Sequence, residues 1–422
     1  MKMSIYYVSA QGCDTNDGLS PESPWQTIDK VVKTVVGGDV IKFRCGDTFY
    51  GNIKTVAGPD KEHPTTITSY GEGEKPTISQ YKMPVHGAWE RHIDGVWKLD
   101  LTDNTKFYGN TKDIDTNVGF MKVDGEYKFR KRFHLADLAY QWDFYCDDQY
   151  VYVLLNKRPD EVTDDVKIAC NIRCINMCNN LRVENIICRG GGAHGISGTS
   201  VNSYINNCEF HELGGSRLGG IERRGRFNTV RYGNGVEYWS NSSDGIVENC
   251  RFSEIYDVAI TIQGNRVVRN WDNMIFRNNV IWNCTQGFEI WATTELDEPV
   301  GITNSYFENN VVVDCGYCWG YEARPNKGCS SHLMIYNIGV PLCDITIRNN
   351  VFTRAQTSFM YKSGKVTSFP KDCKIYDNVI VRHEGQELGN RAACTYEENM
   401  VFENMILEKN QVFNTPKYRN ED

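Results

Sequence analysis

The sequence predicts an all-β chain wound into a right-handed parallel β-helix, with an N-terminal capping helix and a β-rich insertion module. Three observations carry that reading. A short Asn-centred phrase recurs through the second half of the chain, strand-like alternation flanks each copy, and one isolated stretch near the N-terminus has helical periodicity. The phrase is apolar, polar, Asn, then usually Asn or Cys: Val183-Glu184-Asn185-Ile186, Ile205-Asn206-Asn207-Cys208, Val247-Glu248-Asn249-Cys250, Phe276-Arg277-Asn278-Asn279, Phe307-Glu308-Asn309-Asn310, Ile347-Arg348-Asn349-Asn350 and Ile375-Tyr376-Asp377-Asn378. Successive third positions are 22, 42, 29, 31, 40 and 28 residues apart. That suits a coil of about 22 residues with insertions, the longest interval reading as one enlarged coil or two. A unit so short cannot bury its own core, so the units must stack. Stacked Asn side chains at one turn position can pass amide hydrogen bonds from coil to coil. A leucine-rich repeat would need a regular Leu spacing that is missing here.

Taken in order, residues 24–35 place Ile28, Val31, Val32 and Val35 on one helical face, predicting an amphipathic helix that caps the first coil. Gly37-Gly38-Asp39-Val40-Ile41-Lys42-Phe43 then supplies a turn and a strand. Between about residues 86 and 170 the phrase disappears, and Trp89, Trp97, Phe120, Phe129, Phe144, Tyr150 and Tyr152 mark a denser β module. The expected organisation is residues 1–85 as cap and first coils, 86–170 as insertion, and 171–422 as the main helix carrying a groove.

Composition narrows the partners. The 422 residues carry 46 Lys+Arg against 54 Asp+Glu, a formal net charge of −8, which disfavours nucleic acid and an anionic membrane surface. No stretch has the length of a membrane span or a signal-peptide core, so the chain reads as cytoplasmic. The 16 Cys are scattered singly through strand-like segments. The closest groups, Cys170/Cys174/Cys178 and Cys315/Cys318, sit in apolar or aromatic runs, which favours packed, reduced thiols over zinc. Asp14-Thr15-Asn16-Asp17-Gly18 fits turn chemistry better than a calcium loop, because Trp25 stands where the loop needs Glu. No metal or cofactor is expected. A homo-oligomer is compatible with this reading.

Tyr6-Tyr7-Val8-Ser9, Asp17-Gly18-Leu19-Ser20-Pro21 followed by Pro24-Trp25, and Gly38-Asp39-Val40-Ile41 followed by Arg44-Cys45-Gly46-Asp47-Thr48-Phe49 resemble the opening of bacterial right-handed β-helix carbohydrate-active proteins. That pectate-lyase-like group includes lyases and β-helix glycoside hydrolases such as certain β-xylosidases and fucosidases. The resemblance implies the fold and a carbohydrate substrate; it carries over no catalytic residue, because the group spans several reactions.

The candidate site comes from the residues themselves. Aligning the strand after each phrase gives Ile196-Ser197-Gly198-Thr199, Val236-Glu237-Tyr238-Trp239, Ile260-Thr261-Ile262-Gln263, Phe288-Glu289-Ile290-Trp291, Trp319-Gly320-Tyr321-Glu322 and Phe359-Met360-Tyr361-Lys362. First and third columns are apolar and point inward; second and fourth point outward. The outward face then carries Glu237, Glu289 and Glu322 as catalytic candidates, with Asp257 at a strand edge as a fourth, and Trp239, Trp291 and Gln263 as substrate contacts. Acids beside exposed Trp suit a sugar, which needs an apolar face to stack on and carboxyls at the glycosidic bond. The alternative is an acidic face that only solubilises. A Gly-rich segment, His211 to Gly233, contains Arg217, Arg223, Arg224, Arg226 and Arg231, and reads either as a clamp for an anionic substrate group or as charge compensation for Glu237. His194, His211 and Arg324 complete the expected binding set, with Glu295, Asp297 and His332 as further groove walls. A glycoside hydrolase is the leading function, followed by a lyase acting on a uronate-containing glycan and by a non-catalytic glycan-binding shaft.

Overall fold

In the computed structural model, residues 3–109, 113–264, 271–292, 301–324, 330–336, 342–363, 372–389 and 396–416 are described. Among them, three parallel sheets of ten, ten and seven strands carry the fold, a right-handed parallel β-helix. Each full coil gives one strand to each sheet. Leu181–Glu184, Ile187–Arg189 and Ile196–Gly198 form one coil, and Val201–Asn206, Glu209–Leu213 and Val236–Tyr238 the next. The next coil begins at Ser243–Glu248, which pairs directly with Val201–Asn206. The 42-residue interval is therefore one coil enlarged by a hairpin excursion.

The recurring phrase makes the corner between the two ten-stranded sheets. Its third residue, Asn185, Asn207, Asn249, Asn278, Asn309, Asn349 or Asp377, has φ between 51° and 59°. Asn and Asp tolerate that left-handed turn better than other side chains. The ladder itself belongs to the fourth residue. Nδ2 of Asn279 donates to Oδ1 of Asn310 at 3.0 Å, Asn310 to Asn350 at 3.0 Å, Asn350 to Asn378 at 2.9 Å and Asn378 to Asn410 at 2.8 Å. The same Oδ1 atoms accept the backbone N–H of the preceding Asn, and each Nδ2 also donates to a carbonyl of the neighbouring coil, as Asn310 does to Phe276. The amides of this ladder are thus satisfied, which is what allows a polar side chain inside the coil.

The interior is a stack of apolar columns. Ile196, Val236, Ile260, Phe288, Leu333 and Met360 are successive partners in the seven-stranded sheet, and all are buried. Phe288 stacks on Phe307 with ring centroids 4.5 Å apart. Each such side chain contributes about 1.5–3 kcal/mol by leaving water.

A helix at Ile28–Thr34 buries Ile28 and Val31 in the same core, with Val32 and Val35 packed beside them; Thr27 caps it by accepting the Lys30 N–H at 3.1 Å. Residues between Tyr81 and Cys170 build a four-stranded sheet and a five-stranded sheet, mostly antiparallel, around a separate core including Leu99, Val118, Met121, Phe144 and Val153. A helix absent from the expected elements, Tyr396–Lys409, buries Phe402 and Ile406. Its i, i+4 apolar pair is the sequence signal for it.

Two expected strands are corrected. Trp319–Glu322 is a short helix, and the sheet continues instead through Ser331–Tyr336. Trp319 is drawn to the insertion: its ring stacks on Tyr127 at 5.1 Å and packs on Phe120, while Nε1 donates to the Glu254 carbonyl. In the last strand of that sheet, Met360, not Phe359, occupies the inward column, which turns Lys362 inward over the Phe402 ring. Phe359 and Met360 are both buried, so alternation fails there.

Asn310→Ala should lower stability by about 3 kcal/mol in denaturant titration, because it strands two donors of Asn279 and takes a donor from the Phe276 carbonyl, while Oδ1 of Asn350 keeps the backbone N–H of residue 310. Exposed Asn309→Gly should be neutral within about 0.5 kcal/mol, since Gly adopts the same φ freely. Equal losses in both variants would refute the division between turn and ladder positions.

Candidate active site

A groove of about 1030 Å³ runs along the outward face of the seven-stranded sheet. Strand register sets its floor. Glu237, Thr261 and Glu289 are direct partners on three successive strands, and Gln263 pairs with Trp291. Glu237 and Glu289 therefore stand two strand spacings apart, about 10 Å at Cα. Trp239 and Trp291 meet edge to face with centroids 6.2 Å apart, and Trp239 keeps 36% of its surface exposed.

Glu289 is 7% exposed, and Thr261 Oγ1 donates to its Oε2 at 2.8 Å. Burial, then the nearby Asp257 charge and more weakly that of Glu237, push its carboxyl up to about 8, against the Thr261 hydrogen bond and Arg324. Glu289 thus carries a proton at neutral pH. Asp257, just before the strand Val258–Gly264, is engaged at Oδ1 by Arg324 Nη2.

Glu237 sits differently. Asn234 Nδ2 donates to its Oε2 at 3.0 Å, Gln263 Nε2 donates to the same oxygen, and His194 Nε2 stands 3.5 Å away. The Asn234 N–H donates to His194 Nδ1 at 3.1 Å, so in neutral His194 the ring proton is on Nε2 and faces Glu237. Burial, helped by Arg173, holds the His194 imidazole below its usual range despite the Glu237 charge. Asn234 also takes the Val258 N–H on Oδ1 at 3.1 Å, tying two coils together under the groove.

The hairpin excursion forms one wall. It leaves the coil at Gly214 and returns at Gly233, whose backbones touch so closely that a Cβ on Gly233 would lie 2.2 Å from Gly214 Cα. Its outer strands, Glu222–Arg223 and Arg226–Phe227, are joined through Arg224 and Gly225 at φ 53° and 70°. A two-residue turn with two positive φ values favours Asn-Gly, so an Arg in its first position is unusual.

Of the expected residues, Glu237, Asp257, Glu289, Trp239, Trp291, Gln263, Arg223, Arg324 and His194 line this one groove. Others do not, Arg226 of the expected clamp among them. Glu322 is exposed on the short helix, outside the groove lining. Arg217 is buried between the Phe133 and Phe227 rings, each 5.3 Å from its guanidinium, and donates to the Phe133 carbonyl, so it wedges the hairpin against the insertion. His211 belongs to the strand Glu209–Leu213 of a ten-stranded sheet, bonded to Ser253 and Glu209. His332 is 1% exposed between Phe352 and Phe359, and burial pushes its imidazole down to about 3, so it forms no wall. Glu295 and Asp297 lie outside the described residues. Sequence reasoning missed Asn234, Arg173, Tyr232 and Met334 as lining residues; Met334 follows from the corrected register, being the partner of Glu289. Among the described residues no His, Cys, Asp or Glu cluster fits a metal, and the 14 described Cys are free thiols, 11 of them buried.

No family model matches the chain. A stretch of 124 residues is 32% identical to a lacto-N-biosidase of Bifidobacterium longum subsp. longum, spanning 27% of this chain and 7% of that protein. The structure of XylC with xylose aligns over 99% of this chain and 85% of that one, with a TM-score of 0.54 and 13% identity, and so shares the fold. A lacto-N-biosidase of Eubacterium ramulus aligns over 98% and 68%, with a TM-score of 0.40 and 14% identity.

The Glu289 proton makes a stability test. Between the ordinary carboxyl range and about pH 8 the folded chain holds a proton there that the unfolded chain releases, so stability contributed by this group falls as pH rises through that window. Glu289→Gln should remove that slope, and its denaturation midpoint relative to the parent should rise between about pH 5 and pH 8. A pH-independent difference would mean that Glu289 is ionised throughout.

Proposed function

We propose that the chain is a glycoside hydrolase in which Glu289 is the general acid and Asp257 the partner carboxylate. The observation that carries the reading is the meeting, in one groove, of a buried carboxyl that its surroundings push upward with a second carboxyl engaged by an Arg. Environments that hold two carboxyls in different protonation states are what acid–base division of labour requires. Trp239 and Trp291 offer the apolar faces on which a sugar ring stacks. The short stretch shared with a lacto-N-biosidase, and the common fold with XylC, whose structure holds xylose, support the same substrate class.

In this mechanism Glu289 donates its proton to the glycosidic oxygen as the bond from that oxygen to the anomeric carbon breaks. Asp257 either takes a proton from the attacking water or bonds to the anomeric carbon until water releases it. Asp257 suits this better than Glu237: its side chain is 24% exposed against 9%, and its charge acts more strongly on Glu289. Glu237, with Oε2 taken by the Asn234 and Gln263 amides, is placed to accept a sugar hydroxyl on its other oxygen. A lyase is the second reading, favoured by the five guanidinium groups that line the groove. Product masses from a panel of oligosaccharides and uronate polymers separate the two: added water marks a hydrolase, an unsaturated product a lyase.

Glu289→Gln should cut kcat on an oligosaccharide by about 10²–10⁴-fold. On a dinitrophenyl glycoside of the same sugar, whose leaving group needs no proton, glycosidic cleavage should fall far less. Parent kcat/KM should decline above about pH 8 as Glu289 ionises. Equal losses on both substrates would remove Glu289 from the acid role.

A further inference from the structure

The groove is positively charged although the chain is not. Arg173, Arg223, Arg224, Arg231 and Arg324 line it against three carboxyls, Glu237, Asp257 and Glu289, while the whole chain carries −8. Arg324 is engaged with Asp257. Arg231 is buried and gives its nitrogens to the carbonyls of Gly215, Ala323 and Gly119, so hydrogen bonding satisfies it without cancelling its charge. Arg223 and Arg224 have no ion-pairing carboxylate among the described residues. They therefore do not compensate Glu237, whose partners are Asn234, Gln263 and His194.

The hairpin that presents these two arginines is held firmly. Asn117 bridges it to the insertion, accepting the Arg217 N–H at 2.9 Å and donating to the Arg217 carbonyl at 2.8 Å, and the Phe227 ring stacks on His134 at 4.4 Å. Arg224 occupies the left-handed first position of the turn, where Asn or Gly fits without strain. A cation presented from an unfavourable backbone position over a groove, with no carboxylate paired to it among the described residues, matches the oxygens of an anionic group.

We propose that Arg223 and Arg224 form an anion subsite, and that the glycan bound here carries a carboxylate or sulfate group on the sugar that faces the hairpin. The inference rests on reading the groove as a glycan site.

Its test is a glycan array bearing uronate-containing, sialylated, sulfated and neutral oligosaccharides, probed with the Glu289→Gln chain so that turnover does not consume the ligands. Retention of anionic glycans, reduced about tenfold or more by Arg223→Ala/Arg224→Ala and suppressed between 50 mM and 500 mM NaCl, is the expected result. Binding confined to uronates and sialic acids assigns a carboxylate, and binding confined to sulfated glycans assigns a sulfate. Neutral glycans bound as tightly as their charged counterparts, or indifference to the double substitution, would overturn the anion subsite and leave the hydrolase reading standing. If the array retains nothing while a correctly folded circular-dichroism spectrum is kept, the glycan reading and the subsite fall together. Arg223→Lys/Arg224→Lys gives a further check: charge without the planar fork should recover only part of the binding.

Discussion

Everything in this molecule depends on the in-phase pairing of parallel strands between successive coils. Because Ile196, Val236, Ile260, Phe288, Leu333 and Met360 occupy the same phase on consecutive strands, the side chains beside them share a phase too. Positions on the groove floor therefore form a lattice, with steps of about 4.8 Å across the strands and about 6.6 Å between like-facing residues along them. Glu237, Thr261 and Glu289 are three points of that lattice. A slip of one residue would bury the acids and expose the Ile and Phe columns.

The Asn corners defend that phase. The residue in the left-handed position turns the chain between two sheets, and the side chain of the next residue locks the turn to its neighbours, as Asn310 does by accepting two hydrogen bonds and donating two. Variation is left to the corners around the seven-stranded sheet, where the hairpin from Gly214 to Gly233 is inserted without disturbing the pairing on either side. Firm corners on one side and permissive ones on the other let the same scaffold carry a deep groove.

Much of this was legible in the sequence, for identifiable reasons. The outward positions of Glu237, Thr261, Gln263, Glu289 and Trp291 are legible because they stand on strands where alternation is clean and the phrase gives the offset. Glu322 was misplaced because Trp319-Gly320-Tyr321-Glu322 alternates like a strand, whereas aromatic stacking against Tyr127 and Phe120 folds it into a helical turn. Lys362 was misassigned because two consecutive buried side chains hide the phase. Arg217 read as a ligand-facing cation, and only the rings of Phe133 and Phe227, distant in sequence, reveal why a guanidinium is buried there. Asn234 was illegible for the same reason: its partners, His194, Glu237 and Val258, meet only when three coils stack.

The ladder also gives the stack a direction. Toward the C-terminus each amide rests on another, ending at Asn410 where the last helix closes it. Toward the N-terminus the equivalent positions pass to Cys250 and Cys208, where the backbone N–H of Cys208 meets a sulfur at 3.4 Å and the thiols donate weakly to carbonyls of the coil before. Thiols are poorer partners than amides, so the corner lock is weaker at Cys208 and Cys250 than from Asn279 onward. The coils with thiol corners are the ones that carry the hairpin and, on the groove floor, Glu237 and Thr261, so the site stands over the weaker part of the lock.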